Sequence, residues 1–163
     1  MADSASSSGA QDASGQATGE FHIRRIYAKD ISFETPNSPA IFSLEWKPET
    51  DINLRTEASE VSAGDYEVTL SVTVTVKVGE GVAFLAEVQV AGIFSVVGLT
   101  STELGPVLGS YCPSVLYPYA REMVSDLVIR GGFPPFVLSP VNFEALYAHQ
   151  QSDQAAAAAA QAD

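Results

Sequence analysis

From Tyr66 to Val78 the chain alternates without a break, with Tyr66, Val68, Leu70, Val72, Val74, Val76 and Val78 set against Glu67, Thr69, Ser71, Thr73, Thr75 and Lys77. A period of two places the first set on one face of a pleated strand and the second on the other, so this segment is a strand with one buried face. Gly79-Glu80-Gly81 supplies the flexible backbone of a short hairpin turn, and Val82 to Phe94 returns as its antiparallel partner. In the returning strand Val82, Phe84, Ala86, Val88 and Val90 share one face. Ala83, Leu85, Glu87, Gln89 and Ala91 share the other, which is therefore only partly polar. Such a hairpin cannot stand alone: it needs further strands and a layer over its apolar face.

The rest of the chain supplies both. Phe21 to Glu34 reads as a long strand with imperfect alternation, and Ile52, Leu54, Thr56 and Ala58 mark another, giving four strands. Between these two, Thr35 to Thr50 carries Pro36, Pro39 and Pro48 among Ile41, Phe42, Leu44 and Trp46. The prolines exclude a central strand or an intact helix, while the large apolar side chains require a surface to lie on, so this is a long loop packed against the body. Further on, Val115, Leu116, Tyr119, Ala120, Met123, Val124, Leu127 and Val128 recur at helical spacing, with Arg121, Glu122, Ser125 and Asp126 opposite. Pro113 suits the first turn of that helix, Pro118 kinks it or delays its regular start, and Gly131-Gly132 ends it. A shorter helix starts with Asn142 as N-cap and carries Phe143, Leu146 and Tyr147 inward. Strands first and helices second make the class α+β: a four-stranded antiparallel sheet packed with a long helix and a shorter one.

Composition sets the boundaries of the folded unit. Residues 1–19 have no large apolar side chain beyond Met1 and read as a disordered tail, residues 20–150 as one domain, and residues 151–163 as a flexible Ala-rich tail. The formal net charge of −12, from eight Lys+Arg and twenty Asp+Glu, argues against nucleic acid, which needs a basic surface. The N-terminus lacks the basic and apolar regions of a signal peptide, which points to a chain that stays in the cytoplasm. Val82 to Leu99 is long and apolar enough to suggest a membrane span, but Glu87 and Gln89 would lie mid-bilayer and its alternation is that of a strand.

Little in the chain suggests catalysis. Cys112 is the single cysteine, which excludes an intrachain disulfide and a multi-thiolate metal site, and His22 and His149 stand at opposite margins of the domain. Cys112 reads as a packed, inert thiol. There is no phosphate-binding lysine motif and no dinucleotide fingerprint, so no cofactor and no metal is expected. Asp30 and Glu34 share a face of the first strand, and Glu87 shares its face with Leu85. For Asp30 and Glu34 the first reading is solvated residues on an exposed sheet face and the second an acidic patch for a basic partner, whereas Glu87 beside an exposed leucine favours docking. A half-apolar outer sheet face and a wide helical stripe also favour self-association.

Several stretches, taken together and in order, resemble the SecB export chaperones: Phe21 to Tyr27, Lys29 to Glu34, Pro36-Asn37, Trp46, Pro48, Tyr66-Glu67-Val68, Gly92-Ile93-Phe94, Tyr111-Cys112-Pro113, Pro118 to Glu122 and Pro140 to Phe143. The resemblance spans residues 21–150. It implies a dimer of dimers that binds unfolded preproteins in the cytoplasm without ATP and delivers them to the motor SecA, with no direct membrane insertion. Carried over residue by residue, it implies SecA contacts at Asp30, Glu34, Leu85 and Glu87, and a link to tetramer assembly at Ala86, Val88 and Val90. Phe33, Phe42, Trp46 and Phe94 are the expected lining of the client groove. Two alternatives are a SecB-like chaperone dedicated to one client, such as an antitoxin, and a small-ligand carrier or cysteine enzyme using the same apolar interior.

Overall fold

The computed structural model describes residues 19–160; the tail expected over 1–19 lies almost wholly outside them, as do residues 161–163. Four strands, β1 (Glu20–Glu34), β2 (Pro48–Ser62), β3 (Asp65–Val78) and β4 (Gly81–Val97), form one antiparallel sheet in the order β1-β4-β3-β2. Gly79 takes the left-handed conformation (φ 60°) that the tight β3–β4 turn demands, and Gly64 (φ 77°) does the same between β2 and β3. The alternation of β3 is realised as read: Val68, Leu70, Val72, Val74, Val76 and Val78 are all buried on one face. Near the turn the register shifts between Val76 and Lys77, which sets Val82 opposite Lys77 instead of continuing the row of Phe84.

The uneven alternation of β1 has a physical cause. Its pairing with β4 shifts between Ile23 and Arg25 and again between Ala28 and Asp30, so Arg24 and Lys29 are extra residues in two β-bulges. Each bulge resets the two-residue period. Phe21, Ile23, Ile26, Ala28, Ile31 and Phe33 thereby all share the inner face, opposite the inward residues of β4, while Asp30, Ser32 and Glu34 share the outer one.

Because β1 pairs with β4 and not with β2, the chain must cross the end of the sheet to reach the opposite edge. The crossing segment includes a short 3₁₀ turn, Ala40–Ser43, and buries Ile41 in the core. Asn37 Nδ2 donates to the Val82 carbonyl (3.0 Å), fastening the segment to the β3–β4 hairpin. Pro48 then opens β2, an edge strand, where its missing N–H costs nothing in the ladder.

The helical run begins earlier than the periodicity suggested. Thr100 and Glu103 form a capping box that starts α1 (Ser101–Pro106). A π-helical turn, Val107–Tyr111, joins α1 to α2 (Cys112–Arg130). Three prolines, Pro106, Pro113 and Pro118, lie within this run, and the π turn falls between the first two. Helix α2 packs on β4 and β3 through Cys112, Leu116, Ala120, Val124 and Val128, and is capped by Gly131. Asn142 Oδ1 accepts from the Ala145 N–H (3.0 Å) at the start of α3 (Phe143–Ala160). The Tyr147 ring of α3 lies against Gly105 and Gly109, where a Cβ would collide with it. Helix α3 continues through the alanine tract to Ala160, past the boundary at 150, with residues 148–160 exposed.

Candidate functional site: an acidic sheet face and an aromatic groove

The outer face of the sheet brings the four expected docking residues together. Register places Glu34 opposite Leu85, Ser32 opposite Glu87 and Asp30 opposite Gln89. Asp30, Glu34, Leu85 and Glu87 therefore occupy one patch across β1 and β4, about 13 Å long at ~3.3 Å per residue. Among the described residues no ion pair reaches Asp30, Glu34 or Glu87. Three carboxylates thus offer uncompensated negative charge around a half-buried leucine. An arrangement of this kind attracts a basic surface at long range and gives it an apolar contact on arrival.

Higher on the same face, charges are paired across β4. Tyr27 donates its hydroxyl to Glu67 Oε1, and Lys29 Nζ donates to the same oxygen at 2.8 Å. The Lys29 and Tyr27 hydrogen bonds hold the Glu67 carboxyl below the usual range, and the bond to Glu67 raises the Tyr27 hydroxyl to about 12. Arg24 likewise reaches Asp65 at 3.2 Å. Both ties run from edge strand β1 to β3, over the top of β4.

On the helix side, at the end of the sheet where the chain crosses, an aromatic cluster forms around Phe84. Its ring stacks on Phe33 (centroids 5.6 Å apart) and meets Phe133 (5.1 Å) and Phe136 (6.3 Å). Phe133 in turn touches Phe42 (5.0 Å) and Trp46 (5.8 Å). Three of the four expected groove residues, Phe33, Phe42 and Trp46, are therefore joined through Phe84 and Phe133. Two adjoining cavities open beside them. One, of about 190 Å³, is lined by Phe42, Leu44, Trp46 and Phe133; the other, of about 230 Å³, lies between Trp46, Val76, Phe84 and Phe136. Phe42, Leu44 and Trp46 remain 50%, 53% and 37% exposed, so the groove has an apolar rim open to a partner.

Phe94 does not belong to this cluster. It lies ten residues further along β4, roughly 30 Å away at strand rise, buried against Phe21 (5.7 Å). Phe21 in turn meets Tyr111 (5.1 Å). Ala86, Val88 and Val90 are completely buried within the protomer, on the helix-covered face of β4. Sequence reasoning missed Phe84, Phe133 and Phe136. The signal was present in Gly131-Gly132-Phe133-Pro134-Pro135-Phe136, which can form no regular element and must lay two rings on an apolar surface. Two hydrogen bonds hold that segment and the residues just after it on α2: Ser125 to the Phe136 carbonyl (2.8 Å) and Tyr117 to the Ser139 carbonyl (2.5 Å).

Cys112, the first residue of α2, is buried, and burial pushes its thiol up to about 12, so little thiolate forms at neutral pH. Among the described residues no group of three His, Cys, Asp or Glu side chains could hold a metal ion, and no helix is long and apolar enough to cross a membrane.

The family described as "Preprotein translocase subunit SecB" matches residues 14–154. The protein-export protein SecB of Methylococcus capsulatus is 55% identical over 131 residues, covering 80% of this chain and 84% of the relative. That of Nitrosococcus oceani is 51% identical over 160 residues, covering 93% and 98%. Among solved structures, a SecB-like chaperone of Mycobacterium tuberculosis, in complex with a ChAD peptide from the HigA1 antitoxin, superimposes with a TM-score of 0.63. It covers 74% of this chain and 90% of its own at 21% identity, a likeness of fold.

Proposed function

The chain belongs to the SecB family and is a chaperone of preprotein export, and we propose that it acts as an ATP-independent holdase in the cytoplasm, gripping unfolded preproteins in the aromatic groove and presenting them to the motor SecA through the acidic sheet face. The observation that carries this reading is the separation of the two surfaces. The groove lies on the helix side around Phe84, the acidic patch on the opposite side of the same two strands, so a client and a motor can be held at once.

The groove suits a client of no fixed sequence. Burying an apolar side chain stabilises by about 1.5–3 kcal/mol and has no directional requirement. A millimolar dissociation constant already corresponds to about 4 kcal/mol, so tight holding needs several such anchors. An unfolded chain exposes many; a folded one buries them. Preferential binding of the unfolded state then delays folding by mass action. No bond is made or broken, and the proposed reading includes no catalytic residue and no cofactor.

Assembly as a dimer of dimers fits the apolar surface the protomer leaves open. Helix α2 packs on β3 and β4 and leaves part of the inner face of β1 open, where Ile23 and Ile31 stay 48% and 45% exposed. A second copy is the natural cover for this edge. Ala86, Val88 and Val90 would influence assembly from beneath α2, by fixing how that helix seats on the sheet.

Native mass spectrometry, alone and with a chemically unfolded preprotein diluted into the mixture, tests the reading. A tetramer that captures the unfolded chain and ignores the same protein once folded supports it. A monomer that captures neither overturns it.

A further inference from the structure

We propose that Glu67 holds the Lys29 ammonium away from the acidic face and so sets how strongly that face attracts a basic partner. The inference rests on the reading of Asp30, Glu34, Leu85 and Glu87 as the motor-docking patch. Lys29 is the extra residue of the second bulge of β1, directly before Asp30, and the bulge turns both to the outer face. A flexible ammonium beside Asp30 would ordinarily pair with it and cancel part of the charge the patch offers. In this fold it crosses β4 to Glu67 Oε1 instead, at 2.8 Å.

The crossing is built into three strands. Ala91 stands on β4 opposite Tyr27, and its small side chain leaves room for Tyr27 and Lys29 to lean towards β3. Glu67 is mostly shielded, with its side chain 18% exposed, and accepts from both residues, so its charge is committed to them. The other bulge repeats the pattern: its extra residue, Arg24, ends on Asp65 of β3. Both basic residues inserted into β1 are thus neutralised two strands away, and the carboxylates of the patch are left free.

Calorimetric titration of purified SecA into the wild-type protein, Glu67→Gln, Lys29→Gln, the double variant and Asp30→Asn at fixed ionic strength tests this. Glu67→Gln is expected to weaken binding about threefold to tenfold by releasing Lys29 onto the patch. Removing Lys29 as well is expected to restore wild-type affinity, and Lys29→Gln alone to bind at least as tightly as wild type. A role confined to the shape of β1 predicts the opposite for the double variant, which loses two members of the network. A double variant as weak as Glu67→Gln, or a weakened Lys29→Gln, overturns the inference. So does an unaffected Glu67→Gln where Asp30→Asn weakens binding. Asp30→Asn without effect removes the docking reading itself, and the inference with it.

Discussion

Gly131 and Phe33 are in contact: the glycine that caps α2 lies flat against the Phe33 ring, and a Cβ at position 131 would fall 2.5 Å from its Cε1 and Cζ. The end of the long helix and the far end of β1 are thereby fitted to each other, and the ring is held on Phe84. Replacing Gly131 with Ala is expected to cost about 1–3 kcal/mol, the usual range for overpacking, and to push Phe33 off its stack. Urea denaturation of the variant measures the first effect. Its reduced capture of unfolded client measures the second.

The proposed client groove contains residues that hold the fold and residues that would meet a client. Phe84, fully buried and touching three other rings, should cost about 3–5 kcal/mol when truncated to Ala. Phe42 and Trp46 are half-exposed, so Phe42→Ala and Trp46→Ala should change stability far less and lower client capture instead. Paired denaturation curves and suppression of client aggregation distinguish the two classes. Equal loss of stability at all three positions would contradict the assignment.

Burial of Cys112 has a consequence at alkaline pH. An unfolded thiol ionises near pH 8.5, whereas burial keeps this one protonated up to about 12. Between those values the folded state binds more protons than the unfolded state, so stability falls as pH rises through that window. Tyr27, raised to about 12 chiefly by its hydrogen bond to Glu67, adds to the same limb above pH 10. Denaturation midpoints measured from pH 7 to 11 should decline, and Cys112→Ala should flatten the first part of the decline. In the native protein at pH 7 the thiol should not react with a thiol reagent until urea unfolds the chain.

Salt should separate the two proposed surfaces. Docking of a basic partner on Asp30, Glu34 and Glu87 is screened as the Debye length drops from about 10 Å at 0.1 M to about 3 Å at 1 M. Apolar holding of a client is not weakened in that way. Raising sodium chloride from 0.1 to 0.5 M should therefore reduce SecA affinity about tenfold while leaving client capture intact, as followed by fluorescence anisotropy of each partner.

Which parts of this arrangement the chain discloses before folding follows from the range of the forces involved. The β3 pattern from Tyr66 to Val78 and the Asn142 cap are local, and both are legible in a few residues. The acidic patch was legible too, because Asp30 and Glu34 lie on one strand beyond the last bulge, and Leu85 and Glu87 on another at matching parity. The bulges at Arg24 and Lys29 left only an uneven alternation, since the extra residues are specified by pairing with β4 and by carboxylates on β3. The start of α1 was marked by Thr100 and Glu103, a capping signal that the eye passes over when it follows apolar spacing. Phe94 lies apart from Phe33, Phe42 and Trp46 because it stands ten residues beyond Phe84 on the same strand, a distance that apolar character alone does not bridge. The sharing of Phe84 and Phe133 between distant segments is a property of the assembled core.

Strand β4 supplies Phe84, Ala86, Val88 and Val90 to the interior and Leu85, Glu87 and Gln89 to the exterior from one uninterrupted run. Deleting a single codon there would turn carboxylate inward and phenylalanine outward for the remainder of the strand, abolishing the core and both proposed surfaces in one event. Insertions and deletions between Phe84 and Val90 are therefore expected to be lost, whereas point substitutions can tune the two sides of β4 independently.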